Sequence, residues 1–237
     1  MEYLIKSAVT ATDIAPSSGP SAELFSAGEK SPMAAFVPSF AHRAMAGSRG
    51  APDEGAAQAV AFVIVGEGAG NVAARETLLD RAMGPNRRKK SSEKLRRGRR
   101  PSEGLAFVAR DQSGALIGTV RLWDVKLGEG GPAALLLGPL AIEPGLKSAG
   151  IGSALMRHAI AEAARLGHGA IVLVGDAPYY GRFGFSAERT GALAMPGPYE
   201  RHRLLALELK AGSLDGAKGT IKAAGRKIKG QALGFVA

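Results

Sequence analysis

A glycine-rich turn, Lys147-Ser-Ala-Gly-Ile-Gly152, is the stretch of this sequence best suited to binding an anion. Neither Gly150 nor Gly152 carries a side chain that would keep a ligand away from the backbone. Apolar residues then recur at helical spacing, at Ile151, Leu155, Ala159, Ala163 and Leu166. The first N–H groups of a helix have no partner within the helix and lie at the positive end of its dipole. The turn therefore predicts a binding site for a phosphate or pyrophosphate group.

Two elements must position this turn, a strand before it and a helix after it. The apolar run from Ala133 to Ile142 is short and is followed by Glu143-Pro-Gly145, in which proline ends the strand and glycine permits a positive φ. Gly167 stands where the C-cap of the helix belongs. The sequence thus predicts a buried strand, a glycine-rich turn and a helix in direct succession.

Two widespread phosphate-binding loops do not fit this spacing. A Walker A loop requires Gly-Lys-Ser/Thr, whereas Leu146 precedes Lys147-Ser148. The dinucleotide fingerprint requires a third glycine where Leu155 stands. Residues 59–83 contain a second succession of strand, Gly-x-Gly and helix. It also lacks the third glycine of the fingerprint, because Asn71 stands in that position. Asn71 is expected to cap the helix. That connection is interpreted as a flexible βα loop.

The turn resembles the pyrophosphate loop of the GNAT superfamily of acetyl-CoA-dependent N-acetyltransferases, with Lys147 where Arg or Gln is usual. A second GNAT signature follows the apolar run Ala170–Val174, as a short helix carrying tyrosine and then Gly184-Phe185. The two motifs occur in the family's order, and the resemblance covers roughly residues 59–209. It is strongest to the bacterial predicted N-acetyltransferases.

The resemblance implies an α/β (α+β) fold with a mixed, strongly twisted central sheet of about six to seven strands flanked by helices. Residues 104–110 and 115–123 fit its antiparallel meander, with Asp111-Gln-Ser-Gly114 as the hairpin turn. A further strand is expected from Ala187 onward, and the last clear one over Leu204–Leu209. Residues 195–202 between them are expected to form a loop over the acceptor side.

The resemblance also implies site residues. The backbone of Leu140, Ala141 and Ile142 would pair with the pantetheine arm of acetyl-CoA. The pyrophosphate would lie on the amides of Lys147, Ser148, Ala149, Gly150, Ile151, Gly152 and Ser153. In the family, the tyrosine four residues before the glycine commonly protonates the leaving thiolate, and Tyr180 holds that position. The alternative is a core tyrosine that packs on the sheet.

The general base is open at this stage. Glu143 is the first candidate because it follows the cofactor strand, and Asp124, Glu200 and His202 are alternatives. The amine could also arrive neutral. No metal ion is expected in this chemistry.

Composition narrows the function further. The chain has 237 residues and no cysteine, which excludes disulfides, thiolate metal sites and a cysteine nucleophile. The lack of cysteine is compatible with a reducing cytoplasm, and a cytoplasmic location is expected. No apolar run is long enough to span a membrane.

Three regions are predicted along the chain. Residues 1–56 are rich in Pro, Ala and Ser and are interpreted as a disordered extension or as an over-extended gene model. Residues 57–210 form the acetyltransferase domain. Residues 211–237 are expected to be a basic C-terminal tail.

The formal net charge of +10 is concentrated in residues 86–100. This segment has no aromatic residues on which bases could stack, so nucleic-acid binding is not favoured. A solvated basic face and an electrostatic funnel for CoA or an acidic acceptor are the two remaining interpretations.

The function expected from these observations is transfer of an acetyl group from acetyl-CoA to a primary amine of a small molecule or peptide, by direct attack in a ternary complex. A catalytically silent CoA-binding regulatory domain and a basic nucleic-acid-binding module are the alternatives. The sequence assigns neither the acceptor nor an oligomeric state.

Overall fold

The computed structural model of the chain describes residues 60–228. The strands are β1 (Phe62–Gly66), β2 (Ala106–Asp111), β3 (Leu116–Lys126), β4 (Ala133–Ile142), β5 (Ala170–Val174), β6 (Leu193–Ala194), β7 (Leu204–Glu208), β8 (Gly219–Thr220) and β9 (Lys222–Ala223). The α-helices are α1 (Val72–Met83), α2 (Glu93–Arg96), α3 (Ile151–Arg165) and α4 (Ala177–Gly181). Short 3-10 turns occupy Ala69–Asn71, Pro85–Lys89, Pro144–Leu146 and Arg201–Arg203.

The main sheet is mixed and has seven strands. Its order is β1-β2-β3-β4-β5-β7, and β9 also pairs with β3. All pairs in it are antiparallel except β4 with β5, which are parallel because α3 crosses over between them. The predicted mixed sheet of six to seven strands is confirmed.

The parallel pair β4 and β5 separates after two positions. Only Leu135 with Ile171 and Leu136 with Val172 are paired, although β4 continues to Ile142. Opposite β3, the register shifts between Val120 and Leu122, so that two residues of β4 face one residue of β3. Such a bulge bends the strand that carries the extra residue, so β4 turns away from β5 and leaves an opening in the sheet.

Helix α3 covers one face of the sheet with the predicted apolar stripe, except that Leu166, the last predicted member, lies beyond the end of the helix and is 42% exposed. The buried residues of α3 are Ile151, Leu155, Met156, Ala159 and Ala163. They belong to one cluster with side chains of β2, β3, β4 and β5. The close approach depends on Gly118 of β3, because a Cβ atom there would lie only 2.9 Å from Leu155 Cδ1 and 3.1 Å from Ile151 Cγ2.

The opposite face of the sheet has a second core, to which the C-terminal segment contributes. Leu214, Ala217 and Ile221 are buried there, and β9 adds to the edge of β3 through the pair Val125 with Ala223. The predicted domain ends at residue 210, but the chain stays packed beyond it. Residues 211–228 are therefore not a separate basic tail, because their scattered apolar side chains fill this face. The expected extension over residues 1–56, and residues 229–237, lie outside the described residues.

Most predicted elements near the glycine-rich turn are confirmed, and one is wrong. The strands 133–142 and 170–174 have the predicted bounds. No strand starts at Ala187; only Ser186 bridges to Ala206. The hydroxyl oxygen of buried Thr190 lies within hydrogen-bond distance of the carbonyl oxygens of Ala187 (2.9 Å) and Leu204 (2.7 Å), between which its one proton is shared, and this holds the chain in a turn.

The expected cap of the first helix also differs in detail. Asn71 is the N-cap of α1, but its side chain makes no cap hydrogen bond to the helix. Its Oδ1 instead accepts a hydrogen bond from the N–H of Gly68 at 2.8 Å. Asn71 thus stabilises the preceding turn. Within residues 60–228, no helix has both the length and the apolar character needed to cross a membrane.

We expect Gly118→Ala to lower the free energy of unfolding by about 1–3 kcal/mol, the usual cost of overpacking a core. The added methyl group would displace Leu155 and Ile151 of α3. Urea denaturation measures the change. Gly66→Ala is the matched control, because Gly66 also lies in a strand and nothing is within 4 Å of the place that its Cβ atom would take. Equal stabilities of the two variants would contradict the packing argument.

Candidate functional site

A cavity of about 830 Å³ lies at the opening between β4 and β5. It is lined by residues 137–140 of β4, residues 173–176 at the end of β5, and both tyrosines of α4. Side chains of α1, α2 and the basic segment also line it, together with Arg121 and Trp123 of β3 and Arg203. The separation of the two parallel strands therefore gives access to the middle of the sheet from the side of the basic segment.

One edge of β4 has no strand partner at this opening. Leu140, Ala141 and Ile142 pair with β3 on their other edge, and their side towards β5 has no strand partner among the described residues. Backbone N–H and C=O groups on such an edge can pair with an extended ligand as another strand would. This is the place where the family resemblance puts the pantetheine arm.

The glycine-rich turn has the backbone conformation that exposes amides at the start of α3. Ser148 and Gly150 have positive φ angles of 73° and 79°, and the helix begins at Ile151. A Cβ atom on Gly152 would lie 2.9 Å from the hydroxyl oxygen of Tyr179, so a side chain at this position would disturb the turn and α4 together. Residues 147–153 do not line the cavity between β4 and β5. The glycine-rich turn and the cavity could therefore contact two different parts of one ligand.

Tyr180 lines the cavity and packs against the main core. Its ring lies over Gly175, where any side chain would collide with it. Burial raises the pKa of Tyr180 from 10.0 to about 12; neighbouring Tyr179 and Asp176 add to the rise, and Arg203 opposes it. The hydroxyl therefore stays protonated across the physiological pH range and can donate a hydrogen bond into the cavity.

Tyr179 is placed differently from Tyr180, although both line the cavity. Its hydroxyl points to the glycine-rich turn, and the guanidinium of Arg182 lies 4.6 Å from its ring centroid. The two tyrosine rings meet edge to face, with centroids 4.9 Å apart. Tyr180, the predicted proton donor, therefore faces the cavity, whereas the hydroxyl of the adjacent Tyr179 lies at the glycine-rich turn.

The structure does not place Glu143 in the cavity that Tyr180 lines. Glu143 accepts two hydrogen bonds from Arg81, from Nη2 at 2.6 Å and from Nε at 3.2 Å, and it is outside the cavity lining. The alternative bases are outside the lining as well: Asp124, Glu200 and His202. His202 Nε2 instead lies 3.4 Å from Glu200 Oε2.

Three carboxylates that the sequence alone did not single out do line the cavity, namely Glu76, Glu93 and Asp176. Burial would raise the pKa of Glu76, but hydrogen bonds from Arg75 and Arg87 outweigh it and lower the pKa from 4.5 to about 2. Glu76 lies in the helix that the sequence predicted with Asn71 as its cap, but nothing in its spacing indicated that it would line the cavity. Among residues 60–228, no group of three or more His, Asp or Glu side chains could hold a metal ion.

The basic segment is partly buried in the cavity wall. Arg87 and Arg96 have side chains only 11% and 10% exposed. Arg87 donates to Glu76 at 2.5 Å and to Asp80 at 2.6 Å. The interpretation as a solvated face is therefore wrong for these two arginines, since they form ion pairs inside the fold.

A chain of buried contacts holds the bulge of β4. Glu67, with a side chain 4% exposed, accepts hydrogen bonds from Arg75 and from Arg121, whose Nε lies 2.6 Å from Glu67 Oε2. The Arg121 guanidinium lies 5.6 Å from the ring centroid of Trp123. Trp123 Nε1 in turn donates a 2.6 Å hydrogen bond to the carbonyl of Gly138. The conformation of the cavity edge thus depends on residues that are distant in sequence.

We expect Glu76→Gln to reduce stability at pH 7 but to converge with the wild type in acid. The folded pKa of about 2 is below the ordinary 4.5, so the carboxylate stabilises the fold above about pH 4.5. This contribution is lost as the pH falls through 2. Urea midpoints measured from pH 7 to pH 2 test this. Glu103→Gln, at a side chain 85% exposed, is the control. A stability gap that does not change with pH would contradict the assignment.

Comparison with known proteins agrees with this architecture. Residues 102–187 match the family model described as an acetyltransferase (GNAT) domain. No curated protein matches the sequence. Among solved structures, the GNAT family N-acetyltransferase YhbS from Escherichia coli, in complex with CoA, is similar with a TM-score of 0.60 and 23% identity, over 75% of this chain and 94% of that one.

A GNAT family acetyltransferase from Brucella melitensis, in complex with acetyl-CoA, is 24% identical over 65% of this chain and 99% of that one. Its TM-score is 0.46. The likeness to the Escherichia coli enzyme supports the fold, and the matched family model covers β2 to α4, which include the opening in the sheet, the glycine-rich turn and Tyr180. Residues 102–187 thus match a GNAT acetyltransferase domain, and the described part of the chain has the fold of a GNAT family N-acetyltransferase.

Proposed function

We propose that the protein transfers an acetyl group from acetyl-CoA to a primary amine by direct attack. The observation that carries this proposal is the free edge of Leu140, Ala141 and Ile142, beside an opening in the sheet that Tyr180 lines. When bound, acetyl-CoA supplies the acetyl group as an activated thioester. The residues of this chain then bind the cosubstrate, orient its thioester and transfer protons.

The chain offers two places suited to such a ligand. The amides of residues 147–153 lie at the N-terminus of a 15-residue helix, which favours a pyrophosphate. The free β4 edge can hold the amide groups of an extended pantetheine arm. An N–H group of this edge can also polarise a carbonyl placed beside it. Both places fit the cosubstrate that the two sequence motifs imply.

Tyr180 would donate a hydrogen bond to the leaving sulfur. A thiol has an ordinary pKa of about 8.5, well below that of Tyr180, about 12. A tyrosine this weakly acidic does not release its proton to sulfur unless it regains one. A C–N bond forms, the C–S bond breaks, and the proton lost by the amine ends on the thiol. Tyr180 can relay that proton.

Asp176 is a better-placed proton acceptor than Glu143. It lines the cavity, and its charge affects Tyr180. It forms no ion pair with any other residue that the structure describes, whereas Glu143 is paired with Arg81. The base role first given to Glu143 therefore passes to Asp176 in this proposal.

The activity is tested by incubating the protein with acetyl-CoA and a panel of amines and measuring the free CoA thiol that is released. We expect acceptor-dependent thiol release. A protein that binds acetyl-CoA but acetylates no amine would favour the regulatory alternative, and binding of nucleic acid without acetyl-CoA binding would favour the nucleic-acid module.

We expect Gly152→Glu to abolish acetyl-CoA binding. The new side chain would collide with Tyr179 and place a negative charge where the proposal puts phosphates. Calorimetry measures the affinity. Gly191→Glu introduces the same charge in open space and should bind normally. Equal affinities of both variants would remove the turn from the cofactor site.

We expect Tyr180→Phe to fold and to bind acetyl-CoA but to lose roughly 10²-fold or more in turnover, the scale of one general acid. The ring and its packing on Gly175 are kept, and only the proton donor is lost. Tyr179→Phe is the matched control and should cost much less. Thermal melting beside initial rates separates the roles, because a tyrosine of purely structural importance would lower the melting temperature and leave turnover unchanged.

A further inference from the structure

Arg96 is a buried cation whose hydrogen-bonding capacity is not used. Its side chain is 10% exposed, and its Nε is buried without any hydrogen-bond partner among the described residues. Only Nη2 is engaged, with Glu93 Oε2 at 3.1 Å. A guanidinium carries five N–H donors in a fixed fork, and buried donors of native proteins almost always find partners. Arg96 therefore has unused donors inside a cavity wall.

The position of Arg96 places these donors at the opening of the sheet. Its Nη1 lies 3.7 Å from the point where a Cβ of Gly138 would be, next to the bulge of β4. Tyr180 lines the same cavity. A molecule that contacts Arg96 can thus reach the place where the proposed chemistry occurs.

The cavity lining holds more cations than carboxylates. Seven Arg or Lys side chains line it against three carboxylates. Glu76 is taken by the ion pairs with Arg75 and Arg87, and Glu93 by the pair with Arg96. Lys90 and Arg97 have no ion-pair partner within residues 60–228. Arg87, Arg121 and Arg203 are paired with the carboxylates of Asp80, Glu67 and Glu200, which lie outside the lining. The cations left without an ion-pair partner among the described residues are therefore Lys90 and Arg97, beside the unused donors of Arg96.

The phosphates of CoA do not account for this charge. Their expected place is the turn over residues 147–153, which does not contribute to the cavity lining. Burial lowers the pKa of Arg96; the charge and hydrogen bond of Glu93 raise it in part, and the nearby charges of Arg87 and Arg121 lower it further. An anion in the cavity would offset both effects.

We propose that the acceptor carries an anionic group, a carboxylate or a phosphate, and that Arg96 binds this group while the amine reaches Tyr180. The identity of the bound molecule as an acceptor rests on the proposed acetyl transfer. The anion site itself can be tested without that proposal. The fork of the guanidinium matches two oxygens of either group.

Binding of inorganic phosphate and of acetate to the protein saturated with CoA is the direct test. Saturation with CoA occupies the cofactor's own phosphate site. We expect at least one of the two anions to bind, and Arg96→Gln to weaken it about 10-fold or more, because charge-assisted hydrogen bonds are lost. Arg165→Gln is the matched control, since Arg165 is exposed on α3 and paired with Glu162. Absence of binding, or equal binding to Arg96→Gln, overturns the proposal.

Arg96→Lys keeps the charge and should retain part of the affinity, so it separates loss of charge from loss of packing. If Arg96→Gln does not fold, the comparison of wild type with Arg96→Lys is decisive, and equal affinities overturn the proposal. Relative binding of phosphate and acetate distinguishes the two anionic groups.

Acetylation of glucosamine 6-phosphate and glucosamine connects the anion site to the acceptor. We expect the phosphorylated sugar to have a kcat/KM at least about 10-fold higher, and Arg96→Gln to remove the preference. Equal acetylation of the two sugars overturns the proposal. If neither sugar nor any other amine is acetylated while phosphate binds through Arg96, the proposed activity fails and the anion site stands. If amines are acetylated and neither anion binds, the anion site is wrong and the proposed acetyl transfer stands.

Discussion

The separation of β4 from β5 is the constraint on which the rest of the structure depends. A parallel pair continued to Ile142 would close the sheet, and neither the cavity nor the free strand edge would exist. The separation is fixed by a bulge whose Gly138 carbonyl accepts the hydrogen bond of Trp123. The guanidinium of Arg121 lies over Trp123 and is itself bound by the buried carboxylate of Glu67. A buried polar network of this kind specifies one arrangement because all its members must be satisfied together.

The two ends of the site use positive charge in different ways. At the start of α3 it is the partial charge of backbone amides, which needs no side chain and favours a negative charge close to the helix axis. In the cavity it is the full charge of arginine side chains, most of them held by carboxylates such as Glu76 and Glu67. Those ion pairs fix the shape of the cavity wall. Arg96 differs because its pairing with Glu93 leaves donors unused.

The elements around the glycine-rich turn could be predicted because their signals are local. The strand 133–142 is an apolar run bounded by glycine and proline, and α3 has a regular apolar stripe. The cavity wall could not be predicted in the same way. Glu67 and Arg121 are 54 residues apart, and nothing in their spacing indicates that they meet.

Charge was also a misleading guide to burial, since Arg87 and Arg96 lie in a run of cations that is typical of a solvated face. The C-terminal segment was missed because its strands are two residues long and its apolar residues, such as Leu214 and Ile221, are scattered. The burial of such residues is decided by tertiary packing and not by a periodic pattern in the sequence.

A crystal structure of the protein with CoA tests the central claim most directly. The account predicts that the pyrophosphate lies on the amides of residues 147–153, that the pantetheine arm follows Leu140–Ile142, and that the sulfur lies within hydrogen-bond distance of the Tyr180 hydroxyl. The cavity beside Arg96 should then remain open to a second molecule. A pyrophosphate bound by Arg96 inside the cavity, with the sulfur distant from Tyr180, would contradict the account.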